Sequence, residues 1–203
     1  MNKNVLSLVS CVPKVTVPTQ ASLSALPTTT SRYKAFYKRF YRLRNHLPSD
    51  ITSWYKCYLR RRFVQNDYEA RRQRLLGLND SLSESDLLDR CRNTLAFVFN
   101  ATVATQLAAT AGRPIFYDDL KTLYKDRPEL QVIRTIVEVE ARKPAVVLAD
   151  TEWAWVTEIQ HQLAQNDTKW TKNKRKTIKA INIGLLNHDR NIMRLNETLQ
   201  LCL

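Results

Sequence analysis

Three basic side chains recur every four residues near the start of the chain, in the stretch YKAFYKRFYRLRNHLP (33–48). On a helix, Lys34, Lys38 and Arg42 would share one face, at the spacing that brings side chains of successive turns together. Like charges at this spacing repel one another, and no acid lies between residues 32 and 49 to relieve the repulsion. Because ammonium and guanidinium groups bind phosphates and carboxylates, the pattern predicts a surface that recognises an anionic partner.

The positive charge of the whole chain is concentrated in residues 32–74. This segment holds thirteen Lys or Arg residues and three acids, so ten of the thirteen net positive charges lie there. Such a field favours nucleic acid, an acidic protein or anionic lipid as partner. A face that only keeps the helix in water is the alternative, although such faces usually mix both signs of charge. The residues predicted to contact the partner are Lys34, Lys38, Arg39, Arg42, Arg60 and Arg61.

Side chains that could support catalysis or hold a metal ion are scattered. The four cysteines are far apart with no C-x-x-C pair, and His46, His161 and His188 form no pair with ligand spacing. We therefore expect neither a metal site nor a disulfide framework. The chain has three glycines and no glycine-rich phosphate loop. We predict that the protein is not an enzyme and needs no cofactor, and that its free thiols reflect a reducing compartment.

The pattern of apolar residues beyond residue 31 predicts an all-α fold, a bundle of about six to eight helices forming a single domain over 32–203. Only PAVVLAD (144–150) could form a short strand. No apolar run is long enough for a membrane span, so we predict no integral membrane segment. The helices are predicted at about 32–46, 50–76, 83–110, 115–125, 128–142, 152–165, 172–184 and 187–201.

The first two predicted helices form a basic hairpin at 33–76, joined by a short turn containing Pro48. In the first helix Phe36, Phe40 and Leu43 share an arc opposite the basic residues, so the rings can be buried without burying a charge. In the second helix Lys56, Arg60 and Arg61 are predicted to point away from the core. The inward arc of that helix is predicted to hold Ile51, Trp54, Tyr55, Tyr58, Leu59 and Phe63.

Residues 1–31 contain no acid and are rich in Ser and Thr, with Lys3 and Lys14 as their charged side chains. This composition is typical of a disordered tail and partly of a mitochondrial transit peptide. Three prolines limit any amphipathic helix there. We predict a disordered leader that directs the protein to the mitochondrial matrix, with a plain unstructured tail as the alternative.

The stretches FYKRFYRLRNHLP and YLRRRFVQN resemble the leucine-tyrosine-arginine motif proteins, small helical proteins of mitochondria. Phe36, Tyr37 and Lys38 stand at the tripeptide, and Phe63 stands at the phenylalanine of the second helix. Two of the three tripeptide positions differ from the family pattern, since Phe replaces Leu and Lys replaces Arg.

This resemblance implies an adaptor that binds acylated mitochondrial acyl carrier protein, or a mitoribosome assembly factor. The acidic partner would meet Lys38, Arg39 and Arg42, and Tyr37 and Phe63 would line the core. Because lysine lacks the two-pronged geometry of arginine at a carboxylate, the departure at Lys38 weakens this expectation.

A second resemblance covers more of the chain. An acid-free tail, a basic aromatic first helix, an arginine-rich second helix and a last helix carrying MRLNETLQLCL occur in this order. The order is similar to the fungal family named for increased recombination centres, also known as required for respiratory growth, in its member nineteen. The resemblance implies a non-enzymatic mitochondrial protein involved in maintenance of mitochondrial DNA, respiratory growth, sporulation and genome integrity. The charge pattern also leaves open direct binding of nucleic acid.

Overall fold

The structure, a computed structural model, describes residues 15–65, 67–102, 127–150, 153–168 and 180–203. Within these ranges the chain forms helices and no strand, which confirms the predicted all-α class. A 3-10 turn (Arg44–His46) follows the second helix. The α-helices of the described residues are α1 (Gln20–Ser24), α2 (Thr29–Leu43), α3 (Ser49–Gln65), α4 (Tyr68–Leu76), α5 (Glu84–Thr102), α6 (Pro128–Arg142), α7 (Ala145–Ala149), α8 (Ala154–Thr168) and α9 (Ala180–Leu199).

Three of the predicted boundaries are wrong. The helix predicted at 50–76 is two helices, because Asp67 (φ −100°, ψ 18°) leaves the helical conformation between α3 and α4. The helices predicted at 172–184 and 187–201 meet in the continuous α9. The possible strand at 144–150 is the short helix α7. The prediction at 115–125 and the parts of other predictions that fall on 103–110 and 172–179 lie outside the described residues.

Four helices form the larger core. α2 packs against α3 and α5, and α6 packs against the same two helices, so the four close into a ring. Their apolar faces meet at Phe36 and Leu43 of α2, Ile51 of α3, Leu95 of α5 and Leu130 of α6, each at most 1% exposed. Burying each of these side chains contributes about 1.5–3 kcal/mol, which is what holds the four helices together.

A second, smaller core lies between α4, α8 and α9, which all contact one another. Its centre contains Val156 of α8 with Leu186 and Met193 of α9, all fully buried, and Leu75 of α4 at its edge. α4 follows directly after α3 of the larger bundle. The two cores are therefore linked through the arginine-rich region of the chain.

Part of the segment predicted as a disordered leader is folded. Residues 15–31 carry α1, whose Leu23 is 2% exposed and packs into the larger core. Thr28 caps α2: its hydroxyl accepts from the Ser31 amide at 3.2 Å, and the Ser31 hydroxyl accepts from the Thr28 amide at 3.3 Å. This reciprocal cap fixes the start of the basic helix. Residues 1–14 lie outside the described part of the chain.

Alanine substitutions at two glycines should change the stability of the protein in opposite directions. Gly77 ends α4 at φ 72°, where a side chain is strained although no atom lies within 4 Å of the point that a Cβ would occupy. Gly77→Ala should cost about 1–2 kcal/mol. Gly184 lies inside α9 with equally open space, so Gly184→Ala should stabilise the protein by about 0.5–1 kcal/mol. Urea unfolding of both variants checks this, and two shifts of the same sign would contradict it.

A candidate anion-docking surface

The candidate site is a basic stripe on α2, defined by Lys34, Lys38 and Arg42. All three side chains are exposed, and none forms an ion pair with another described residue. They stand outward because the opposite face of the helix is apolar and buried, with Phe36 at 0% and Phe40 at 4% exposure. A row of cations without carboxylate partners on a fixed helix can bind phosphate or carboxylate groups without rearranging the backbone.

Two further predicted contact residues, Arg60 on α3 and Arg39 on α2, differ in how free their side chains are. Arg60 of α3 is exposed and forms no ion pair with a described residue. Arg39 is half-buried, and its guanidinium donates to the carbonyl oxygens of Thr16 at 3.0 Å and Ala35 at 2.9 Å. Arg39 therefore holds the N-terminal segment against α2, and less of its charge faces solvent.

Arg61 does not point away from the core as predicted. Its guanidinium forms an ion pair with the carboxylate of Glu140 on α6, and its side chain is 21% exposed. Arg62 binds the second oxygen of the same carboxylate at 3.0 Å. Glu140 is itself only 4% exposed, so it neutralises two arginines of α3 in a buried position. Arg61 thus links α3 to α6 and is not part of a free surface.

The ion pairs of Glu140 continue into the second core through Lys143. The Lys143 Nζ lies 2.5 Å from Glu140 Oε1 and 2.8 Å from both oxygens of Asp189 on α9. Lys143 is 7% exposed and Asp189 is 1% exposed. Burial lowers the pKa of Lys143 to about 8, although the Asp189 charge and hydrogen bonds act to raise it. The lysine and its two carboxylates therefore tie α6 to α9.

The lowered pKa of Lys143 leads to a testable pH dependence. Nuclear magnetic resonance of side-chain-labelled lysine should show one lysine, absent in Lys143→Arg, that titrates near pH 8. Unfolded lysine keeps its proton to about pH 10.4, so folding releases this proton between the two values. The contribution of Lys143 to stability should therefore rise with pH in that interval. Asp189→Asn should lower the pKa further, whereas a midpoint for Lys143 at the ordinary lysine value would contradict the buried site.

A second ion pair, between a buried arginine and a partly exposed glutamate, joins α5 to α9. Arg90, 3% exposed, binds Glu197 with both of its terminal nitrogens, at 2.9 and 3.1 Å. Arg72 of α4 lies 3.1 Å from the same carboxylate, and the hydroxyl oxygen of Tyr68 lies 3.1 Å from it. Burial acts to raise the pKa of Glu197, but the hydrogen bonds and charges of Arg90 and Arg72 outweigh it and lower that pKa. Arg90 lies beyond the basic hairpin, and no local pattern in the sequence marks it.

Four more arginines of residues 32–74 also have structural partners, whereas Arg74 on α4 is exposed. Arg32 pairs with Glu84 at 2.7 Å, Arg72 pairs with Asp80 at 2.7 Å, and the guanidinium of Arg44 lies 3.7 Å from the ring centre of Tyr41. Arg71 is 2% exposed and donates to the carbonyl oxygen of Leu203 at 3.1 Å. The charge concentration seen in the sequence is therefore divided between arginines that hold the fold together and an outward group on α2 and α3.

The residues that resemble the leucine-tyrosine-arginine motif fall on both faces of α2. Phe36 is fully buried, and Lys38 is exposed. Tyr37 and Phe63 are half-buried and pack edge to face with ring centres 5.3 Å apart, against the larger core. Trp54 of α3 was predicted to face inward with Phe63, but it is 38% exposed. Its position on the helix lies at the edge of the apolar arc, where the bundle leaves it uncovered.

Among the described residues, no cluster of three or more His, Cys, Asp or Glu side chains is arranged to hold a metal ion. In the same ranges, no helix combines the length and the apolar character that crossing a membrane requires.

Comparison with known proteins identifies one family. The family model of Increased recombination centres protein 19 matches residues 8–203. No curated protein and no solved structure matches the chain. The match includes the basic stripe, the ion pairs of Glu140 and of Glu197 and the last helix, and it agrees with the second resemblance drawn from the sequence.

Proposed function

The chain belongs to the Increased recombination centres protein 19 family, and on this basis we propose that it is a non-catalytic protein that supports maintenance of the mitochondrial genome. The family name points to recombination and genome integrity. The acid-free N-terminal segment, rich in Ser and Thr, supports a location in the mitochondrial matrix. Respiratory growth and sporulation then depend on the protein through the genome that it helps to maintain.

The proposed docking mechanism is based on a difference among the basic residues, some of which are paired with carboxylates and some of which are not. Arg61, Arg62, Arg72 and Arg90 are held by Glu140, Asp80 and Glu197. The outward group of cations, by contrast, meets no carboxylate of the described chain. In our proposal the basic stripe, together with Arg60 of the neighbouring helix α3, docks an anionic partner. The partner supplies the negative charge that the fold does not.

Nucleic acid is one such partner, and its binding has a quantitative signature. Each phosphate neutralised releases counterions, so the binding constant falls with salt by a slope of about 0.9 per phosphate on logarithmic axes. Contacts from the three stripe residues alone would give a slope of about −2.7 with duplex DNA. An acidic protein, such as the acyl carrier protein implied by the leucine-tyrosine-arginine resemblance, is the other candidate, supported by the Tyr37–Phe63 contact beside exposed Lys38.

The genetic test removes the coding sequence in the native host and scores mitochondrial DNA retention and respiratory growth. The intact chain should restore both, and Lys38→Glu with Arg42→Glu should not. Arg142→Glu with Arg194→Glu is the matched control, because it reverses two exposed charges on α6 and α9. Normal DNA retention and growth after deletion would remove the proposed function. Full rescue by the stripe variant would remove the docking surface alone.

A further inference from the structure

The last four residues fold back onto the end of α9. Gln200 adopts a left-handed conformation, with φ 52°, which reverses the chain direction. The fully buried Asn196 then holds the returning segment. Its carbonyl oxygen accepts from the Leu201 amide at 2.8 Å, and its side chain exchanges two hydrogen bonds of 3.0 Å with the backbone of Leu203. The position of residues 201–203 is thereby fixed relative to α9.

The same segment is fixed against α5 of the larger bundle. The amide of Cys202 donates to the hydroxyl of Thr94 at 2.8 Å, and Tyr68 donates to the carbonyl oxygen of Leu201 at 2.9 Å. Leu201 and Leu203 are 3% and 5% exposed and belong to the larger core. These contacts therefore fix the position of Cys202.

This arrangement brings two thiols together that are 111 residues apart in sequence. Cys202 Sγ lies 3.5 Å from Cys91 Sγ on α5. We propose that Cys91 and Cys202 are a modification site, a thiol pair that peroxide converts into a reversible intramolecular disulfide. A disulfide bond is about 2.05 Å long, so the two sulfurs need to approach by about 1.5 Å. This proposal does not depend on the basic stripe or on its partner.

The surroundings assign different roles to the two sulfurs. The hydrogen bond with Cys91 lowers the pKa of the Cys202 thiol, with help from Thr94, Arg90 and Arg71 against the opposing effect of burial. That same hydrogen bond, together with burial, raises the pKa of Cys91. Cys202 is thus the better nucleophile, because the thiolate is the reactive form, and Cys91 is the resolving thiol.

A cavity gives a small oxidant access to the pair. Its volume is about 280 Å³, and both cysteines line it, together with Tyr33, Phe63 and Tyr68. A water molecule occupies about 30 Å³ of liquid, so hydrogen peroxide has ample room there. Cys57, in contrast, is exposed on α3 and does not line this cavity.

The chemistry balances with peroxide as the oxidant. The Cys202 thiolate attacks one oxygen of hydrogen peroxide, the O–O bond breaks, and hydroxide leaves, which forms a sulfenic acid. The Cys91 sulfur then attacks the sulfenic sulfur, the S–O bond breaks, and the oxygen leaves as water with the proton of the Cys91 thiol. Peroxide is reduced by two electrons, and the two thiols are oxidised to one disulfide.

The disulfide would join the segment after α9 to α5 within the larger core. Because it closes a loop of more than a hundred residues in the unfolded chain, the oxidised protein should unfold at a higher temperature. A reductant such as dithiothreitol should reverse the shift.

The test uses the full chain treated with hydrogen peroxide, followed by thiol alkylation under denaturing conditions and mass spectrometry of unreduced peptides. We expect a peptide that joins Cys91 to Cys202, unchanged in Cys57→Ser and absent in Cys202→Ser. The reversible rise in melting temperature should also disappear in Cys202→Ser. Recovery of Cys91 and Cys202 in separate, unlinked peptides after oxidation of the native chain would overturn the proposal. That result requires no variant to fold.

Discussion

Glu140→Gln is expected to destabilise the protein by about 3–5 kcal/mol, because it removes the buried carboxylate that three cations share and leaves Arg61 without a carboxylate partner. Glu140 is 4% exposed and contacts Arg61 and Arg62 of α3 and Lys143, the residue that follows α6. Glutamine keeps the shape of the side chain and removes the charge, so the change isolates electrostatics from packing. The free energy of unfolding in urea measures the loss.

The matched control for this variant is Glu84→Gln. Glu84 also pairs with an arginine, Arg32 at 2.7 Å, but the two side chains are 43% and 25% exposed. Exposed ion pairs contribute about 0–1 kcal/mol, so this variant should remain close to the parent. Arg61→Met in the Glu140→Gln background should recover part of the stability, since it removes one unpaired cation. Equal small losses for Glu140→Gln and Glu84→Gln would show that the α3–α6 network does not hold the arginines.

Phe36→Ala is expected to cost about 3–5 kcal/mol, the range for removing a buried aromatic side chain and leaving a cavity. Phe36 is fully buried on the face of α2 opposite the basic stripe, and it packs into the four-helix core. Its ring thus anchors the helix that presents Lys34 and Lys38. Thermal and urea unfolding of the variant should both show the loss.

Trp54→Ala provides the contrast. Trp54 is a larger aromatic side chain, on the neighbouring helix α3, but it is 38% exposed. We expect its removal to cost clearly less than that of Phe36, about 1 kcal/mol, because more than a third of its surface already faces solvent and no closed cavity is left. If Trp54→Ala were the more damaging of the two, the assignment of inward and outward faces in the hairpin would be wrong.

The sequence was sufficient to predict what depends on local periodicity. The inward set Phe36, Phe40 and Leu43 follows from helical spacing, and α6 begins and ends as predicted, because Pro128 opens it and Pro144 follows its end. The break between α3 and α4 could not be predicted in this way. It contains neither proline nor glycine, and the chain bends there at Asp67.

Contacts between residues that are far apart in the sequence could not be predicted from local periodicity. Arg61 and Arg60 are neighbours with the same chemistry, yet one is held by Glu140, 79 residues away, and the other is exposed. The pairing of Cys91 with Cys202 depends on the reversal at Gln200. Such pairs are set by how the helices assemble, and spacing along the sequence carries no signal for them.

The basic stripe itself should weaken the isolated fold slightly. Like charges four residues apart on a helix destabilise it by about 0.2–0.5 kcal/mol per pair, and Lys34, Lys38 and Arg42 form two such pairs. Lys38→Glu with Arg42→Glu should therefore leave stability unchanged or slightly raised. A stable, folded variant is what makes the loss of a partner interpretable.

The most direct measurement is affinity purification of the tagged full chain from isolated mitochondria, with bound proteins and nucleic acids identified. The parent chain and Arg142→Glu with Arg194→Glu should recover the same anionic partner. Lys38→Glu with Arg42→Glu should lose it while remaining folded. Recovery of an unchanged set of partners by the stripe variant would contradict the claim that this surface is where the protein docks.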